Sequence, residues 1–187
     1  NDYLYLDVSA RNDWSSTLPA PYSYFYPSVG LSAILSDMTT MPSWISYAKL
    51  RGSLSRVGND PDPYMLLQTY RFVAGGFGGY IASNSLKMIS DLKPELTKSL
   101  EFGTEWRFFN NRLGFDITYY KTNTINQLVK VSTPSGSGFS TAYINAGNIQ
   151  NKGFELVLTG KPIAGRDFNW DVTFNYANNK NKIIELY

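Results

Sequence analysis

Between Leu96 and Tyr120 the residue character alternates with a period of two, in two consecutive runs. Leu100, Phe102, Thr104, Trp106 and Phe108 are interleaved with Ser99, Glu101, Gly103, Glu105 and Arg107. Past Phe109-Asn110-Asn111-Arg112, the residues Leu113, Phe115, Ile117 and Tyr119 are interleaved with Gly114, Asp116, Thr118 and Tyr120. Side chains alternate between two faces only in an extended chain, so the segment reads as two strands and not as a helix. Asn tolerates the positive φ of a tight primed turn, which makes Asn110-Asn111 a two-residue hairpin loop. The resulting register pairs Phe108 with Leu113, Trp106 with Phe115, Thr104 with Ile117 and Phe102 with Tyr119, all on one face. A loop one residue longer would divide them between faces.

Both strands outrun the usual length of about five or six residues, and their apolar face needs a cover. A soluble sandwich would supply a second sheet. A membrane barrel would supply lipid and turn Glu101, Glu105, Arg107 and Asp116 into a watery lumen.

The remaining chain favours the barrel. Leu4 to Arg11 alternates as a first strand, and the Ser- and Pro-rich segment 12–21 reads as a loop. A second strand runs from about Tyr24 to Leu35, and a short connection covers 37–43. A third strand sets Ala48, Leu50, Gly52 and Leu54 against Lys49, Arg51, Ser53 and Ser55. A long loop is expected near 58–91 and another near 121–143. The sixth strand turns Phe154, Leu156 and Leu158 outward and Gly153, Glu155 and Thr159 inward. After a short turn over 161–166, the seventh alternates Phe168, Trp170, Val172, Phe174 and Tyr176 with Asn169, Asp171, Thr173 and Asn175. Connections thus alternate long and short, as in an up-and-down barrel with short turns at one end. The fold class predicted is all-β: an antiparallel up-and-down transmembrane β-barrel, of which these seven strands form a sector. Closed bacterial barrels have an even strand number.

Composition narrows the function classes. Aromatic residues make up 16% of the chain (14 Tyr, 11 Phe, 4 Trp), which suits the aromatic girdles of a barrel or a carbohydrate-binding surface. With no Cys and no His, thiolate metal sites and the commonest zinc ligand and general base are excluded. No apolar run approaches the roughly 20 residues of a spanning helix. A net charge of +2 without an aromatic-interleaved basic cluster gives no nucleic-acid footprint.

Four constellations invite a chemical reading. Glu105 and Asp116 stand opposite each other in the hairpin register, where a carboxylate pair suggests glycosidase chemistry; a lumenal salt-bridge lattice with Arg107, Lys49 and Arg51 accounts for them without catalysis. Asn59, Asp60 and Asp62 offer oxygen ligands, yet the spaced acids and closing Glu of a calcium loop are missing, and Pro61 and Pro63 favour a rigid turn. The Gly-rich stretch Gly75 to Tyr80 has no following Lys-Ser/Thr and is not a phosphate loop. It reads either as a flexible tip or, with Tyr70, Phe72, Phe77 and Tyr80, as aromatic faces for substrate or partner. Trp106, Phe108, Phe109, Trp170 and Tyr176 are assigned to interfacial girdles and not to sugar platforms. No catalytic residue, metal ligand or cofactor site is predicted, and the chain is read as a non-enzyme. The alternative function is a soluble or surface-attached β-sandwich that binds carbohydrate as a lectin or adhesin.

Several segments in order resemble the barrel of SusC/RagA-type TonB-dependent transporters. These are Tyr26-Pro27-Ser28-Val29-Gly30-Leu31, Lys49-Leu50-Arg51-Gly52-Ser53 leading to Val57-Gly58-Asn59-Asp60, Leu92-Lys93-Pro94-Glu95 with Glu101-Phe102-Gly103, Phe115 to Tyr120, and Asn145-Ala146-Gly147 leading to Asn151-Lys152-Gly153-Phe154-Glu155. The resemblance spans nearly the whole chain, so residues 1–187 are expected to be part of a TonB-dependent receptor barrel. It implies a barrel of about 22 strands with an N-terminal plug, in the outer membrane of a Gram-negative, Bacteroidetes-like bacterium. It also implies a SusD-like surface lipoprotein as lid, a glycan or oligopeptide as cargo, and energy from TonB-ExbB-ExbD through a plug and TonB box that lie outside this sequence.

Overall fold

The computed structural model describes residues 3–17, 19, 20, 22–88 and 92–186. In chain order the elements are β1 (Leu4–Trp14), β2 (Ser23–Ile34), the single-turn α1 (Leu35–Met38), β3 (Ile45–Asn59), β4 (Tyr70–Val73), β5 (Tyr80–Ser83), β6 (Leu86–Lys87), β7 (Glu95–Phe108), β8 (Leu113–Ile125), β9 (Leu128–Ser132), β10 (Thr141–Asn145), β11 (Asn148–Ala164) and β12 (Asn169–Glu185). Seven long strands form one antiparallel sheet in the order β1-β2-β3-β7-β8-β11-β12. Each strand pairs with the long strand before and after it, so the sheet is an open up-and-down wall.

The β7–β8 register is the one alternation demands: Phe108 faces Leu113, Trp106 Phe115, Thr104 Ile117 and Glu105 Asp116. The turn itself differs from the expected two-residue loop. Phe109, Asn110 and Asn111 all take positive φ (52°, 55° and 64°), and the Arg112 N–H donates to the Phe108 carbonyl at 3.0 Å. Four turn residues preserve the face parity that two would give, which is why the register survives. A bulky residue in the left-handed region costs about 1–2 kcal/mol. Phe109 offsets this by packing its ring against Trp44 and Phe108, each at 6.4 Å.

This end of the wall is laced together through backbone bonds. The Phe109 N–H donates to the Trp44 carbonyl at 2.8 Å, and the Lys161 N–H donates to the Arg112 carbonyl at 2.7 Å. Three connections, 35–44, 109–112 and 165–168, lie here. The connections 15–22, 60–94 and 126–147 lie at the opposite end; 60–94 and 126–147 are much the longest of the six, whereas 15–22 is shorter than 35–44, against the alternation of lengths expected from sequence.

Strands run further into those long connections than sequence alternation indicated. β3 continues through Ser55-Arg56-Val57-Gly58-Asn59 and β8 through Lys121-Thr122-Asn123-Thr124-Ile125, where Arg56, Lys121 and Asn123 take outward positions and interrupt the apolar alternation. β11 likewise passes through the expected turn over 161–166 to Ala164, with a bulge between Gly160 and Ile163 that accommodates Pro162. The two long connections are partly ordered. β4 and β5 form a four-pair hairpin, and β6, β9 and β10 form a small sheet in the order β6-β10-β9, in which one connection pairs with the other.

Outward positions of the wall are apolar and unshielded: Leu54, Phe102 and Phe154 are 61%, 54% and 41% exposed. Among the described residues no second sheet covers them, so the sandwich alternative lacks its second layer. Followed from the short-turn end, the outward apolar run ends, before the first outward cation, at Leu54 on β3, Leu100 on β7, Tyr119 on β8, Phe154 on β11 and Tyr176 on β12. Tracing the pairing back from Tyr176 through Leu156, Ile117 and Thr104 reaches Leu50, four residues short of Leu54. The apolar edge therefore steps down by four residues across four strand-to-strand intervals. With about 3.3 Å per residue and about 4.8 Å between strands, the slope is about 35°. Strands crossing a membrane as a barrel tilt by roughly 35–45°, so a level lipid boundary cuts the wall along this staircase.

Deep burial is concentrated away from the wall centre. Leu92, Leu96, Ala142 and Ala146 are among the buried core residues of the described chain, and all four lie where the long connections meet the wall.

Candidate functional site: the inward face and its rim

Parity places Lys49, Arg51, Ser53, Glu101, Glu105, Arg107, Asp116 and Thr118 on the inward face, and the register sets them in rows. One row runs Arg51, Gly103, Thr118; the next runs Lys49, Glu105, Asp116. Glu105 and Asp116 are thus direct neighbours, as the hairpin register requires. Each has its own arginine. Arg107 donates Nε and Nη2 to Glu105 Oε1 at 2.9 and 2.7 Å, and its guanidinium lies 5.3 Å from the Tyr47 ring centroid. Arg51 grips Asp116 with two parallel bonds, Nη1 to Oδ2 at 2.9 Å and Nη2 to Oδ1 at 2.7 Å, and adds Thr118 Oγ1 at 2.6 Å. A forked guanidinium–carboxylate pair is the strong form of this contact.

The Arg51 clamp spans two strand intervals, from β3 over β7 to β8, and is possible only because Gly103 stands between. A Cβ on Gly103 would come within 2.6 Å of Arg51 Nε. Sequence places Gly103 and Thr118 on the polar face but gives neither a part in such a clamp; the signal available is a glycine in the polar row of an otherwise large-residue strand. Among the described residues Lys49 and Glu101 make no ion pair. Both instead line a hollow of about 430 Å³ with Tyr5, Asp7, Ser32 and Arg51, kept open by Gly30 and Gly103. The inward face therefore offers paired charges that brace the wall and unpaired ones that face the hollow. A neutralised carboxylate pair of this kind supports a rigid polar surface, to which the Thr118 hydroxyl adds a bond to Asp116 Oδ1 at 3.5 Å.

The predicted aromatic contacts do not all converge. In the β4–β5 hairpin Phe72 pairs with Ile81 and Tyr70 with Ser83, so Tyr70, Phe72 and Ile81 share one face, 68%, 69% and 72% exposed. Tyr80 pairs with Val73 and takes the other face; Phe77 stands fully exposed at the tip. The Phe72 ring lies over Gly79, where a side chain would collide with it. Asn59, Asp60 and Asp62 belong to no group of three acidic metal-ligating side chains among the described residues.

A second cluster, not anticipated, joins the bases of the two long connections. Asn145 Oδ1 accepts the Lys93 N–H at 2.7 Å, while its Nδ2 donates to the Lys93 and Asn126 carbonyls at 2.8 and 2.9 Å. Glu95 Oε1 accepts the Leu128 N–H at 3.0 Å. Two of the segments that carry the sequence resemblance, Leu92-Lys93-Pro94-Glu95 and Asn145-Ala146-Gly147, are brought together here.

The outward aromatics gather at the short-turn edge. Trp44 stacks on Phe108 at 5.7 Å, and Phe108 meets Phe115 at 5.9 Å and Trp106 at 6.3 Å. The Trp106 indole N–H is satisfied within the wall by Thr104 Oγ1 at 2.7 Å. Tyr176 stands apart from this cluster, at the other edge of the apolar band, with its ring 5.4 Å from that of Phe154.

With this geometry in hand, comparison with known proteins is decisive. The family model for the TonB dependent receptor-like β-barrel matches residues 1–184. The chain belongs to that family. A TonB-dependent receptor of Formosa agariphila is 31% identical over 95% of the chain, and SusC, a TonB-dependent receptor of Bacteroides thetaiotaomicron, is 31% identical over 66%. The chain spans only 18% and 12% of the length of these two relatives. Among solved structures, the RagAB peptide importer in its closed-closed state superposes with a TM-score of 0.90 over the whole chain and 21% of the RagAB chain, at 27% identity. Its open-open state gives 0.85 over 97% of the chain and 20% of the other. The segment is a SusC/RagA-type barrel wall.

Proposed function

We propose that this wall is part of an outer-membrane importer that admits a glycan or an oligopeptide, working with a SusD-like surface lipoprotein and driven by TonB-ExbB-ExbD through a plug. The observation that carries the reading is the double asymmetry of the sheet. One face is apolar and the other charged; one end has laced turns and the other the two longest connections, 60–94 and 126–147. In this reading the outward face meets lipid, the clamps and hollow of the inward face line the route of the cargo, and the long connections face the exterior and receive the lipoprotein. Tyr70, Phe72, Phe77 and Tyr80 contribute contacts to cargo or lid. The similar fit to the open-open and closed-closed RagAB states supports a wall that acts as a fixed frame while other parts move.

The test is single-cysteine labelling of the complete receptor on intact cells, which this cysteine-free segment makes clean. Phe77→Cys and Ser137→Cys are expected to react with an impermeant maleimide, and Arg112→Cys and Arg166→Cys only after lysis. Reaction at Arg112→Cys on intact cells overturns the orientation. In the same receptor, removing 75–80 is expected to impair cargo capture or lid contact in a graded way at unchanged barrel assembly. Unaltered uptake would assign that hairpin no role.

A further inference from the structure

Toward the long connections, the first charge met on the outward face beyond the apolar run is a cation on every strand from β3 to β12 in the sheet order. On β3 the residue beyond Leu54 is Arg56; on β7, beyond Leu100, it is Lys98; on β8, beyond Tyr119, Lys121; on β11, beyond Phe154, Lys152; and on β12, beyond Tyr176 and Asn178, Lys180. The cations flank the apolar edge with a shallower step: the row of Lys180, Lys152 and Lys121 meets β3 at Leu54, two residues short of Arg56. Arg56 stands directly opposite Lys98, and Lys121, Lys152 and Lys180 are successive cross-strand neighbours. Like charges set opposite each other destabilise a sheet. Among the described residues none of these five forms an ion pair. The carboxylates that might have answered them, Glu101, Glu105, Asp116 and Glu155, occupy the inward positions of the same strands. The opposite edge of the band is aromatic and carries no such row.

A second feature adjoins the row. The β2–β3 ladder ends at Ser28 and Ser55, next to Pro27, which has no N–H to give. Where the strands part, Pro27, Val29 and Leu54 floor a groove of about 300 Å³ that opens beside Arg56 and Lys98.

We propose that this edge is a rail for the phosphate groups of phosphorylated lipids in the outer leaflet, with one acyl chain lying in the groove between β2 and β3. The proposal rests on the reading that the apolar face meets lipid with the long connections outside. Guanidinium and ammonium groups level with the headgroups gain hydrogen-bonded counter-anions there, which relieves the repulsion within the row. The groove places an acyl chain below a phosphate held by Arg56 and Lys98.

The experiment uses the complete receptor in nanodiscs. Binding of diphosphorylated lipid A and of its dephosphorylated form is measured by native mass spectrometry, with gel mobility before and after heating as the check on barrel folding. Diphosphorylated lipid is expected to bind, and the dephosphorylated form to bind far more weakly. Joint replacement Lys121→Gln, Lys152→Gln and Lys180→Gln is expected to weaken the phosphorylated lipid by about a hundredfold. Val29→Trp, which fills the groove, should weaken both forms alike. Equal binding of the two forms, or a folded triple variant with unchanged affinity, overturns the rail. The outcome is independent of the labelling experiment, because nanodisc binding does not depend on which end faces outward in cells.

Discussion

The two faces of the wall are held by different physics. Outward, apolar side chains touch their cross-strand neighbours and await a surrounding medium; little there is specific beyond size and parity. Inward, order depends on individual bonds: Arg51 reaching over Gly103 to Asp116, and Arg107 holding Glu105. The outward face should therefore tolerate exchange among apolar residues and reject charge, whereas the inward face should tolerate charge and reject the loss of one small residue.

The sharpest contrast comes from introducing charge. Ile117→Arg, at mid-wall on the outward face, is expected to destabilise the assembled barrel by about 2–4 kcal/mol in bilayer refolding. Ser53→Arg, inward beside the hollow, should change it far less. Equal losses would mean that the outward face does not meet hydrocarbon. Thr118 would be a poor control, since its hydroxyl already serves Arg51.

The next effect is steric and belongs to the inward face. Gly103→Ala is expected to cost about 1–3 kcal/mol by displacing the Arg51 clamp. In an Arg51→Ala background the same change should cost almost nothing, a coupling that a double-mutant cycle reads directly. A full cost in that background would place the restriction in the backbone.

The smallest effect tests how far single ion pairs matter. Glu105→Gln is expected to lower stability by only about 0–1 kcal/mol, because the pair it makes with Arg107 is solvent-accessible. Loss of processing of a bound glycan in this variant would instead revive the catalytic reading of the Glu105 and Asp116 pair.

What was legible in the sequence follows the same division. Alternation of large apolar and polar residues made the β7–β8 register readable to the residue, and the two long connections at one end made the barrel readable, although the first two connections do not sort by length. The ends of β3 and β8 are unreadable because Arg56, Lys121 and Asn123 stand at outward positions and break the apolar alternation, although both strands continue to Asn59 and Ile125. The β4–β5 hairpin hid in its glycines: Gly76, Gly78 and Gly79 take positive φ in its turn, and the flanking Tyr-Arg-Phe-Val and Tyr-Ile-Ala-Ser are too short to show a period. The Arg51 clamp and the Asn145 bracket join residues 65 and 52 positions apart. Such contacts become visible only once the strand order is known.

The lacing of the short turns bears on how the wall carries load. A hairpin pulled at its turn opens one ladder bond at a time, each bearing the whole force. Here the turn at 109–112 is bonded on one side to Trp44 and on the other to Lys161, so tension applied at any one turn is handed to the strands beside it. Those strands resist along their length, where many ladder bonds must shear together. The short-turn end thus behaves as a hoop, and a pull from that side would deform the wall as a unit before it detached any single strand.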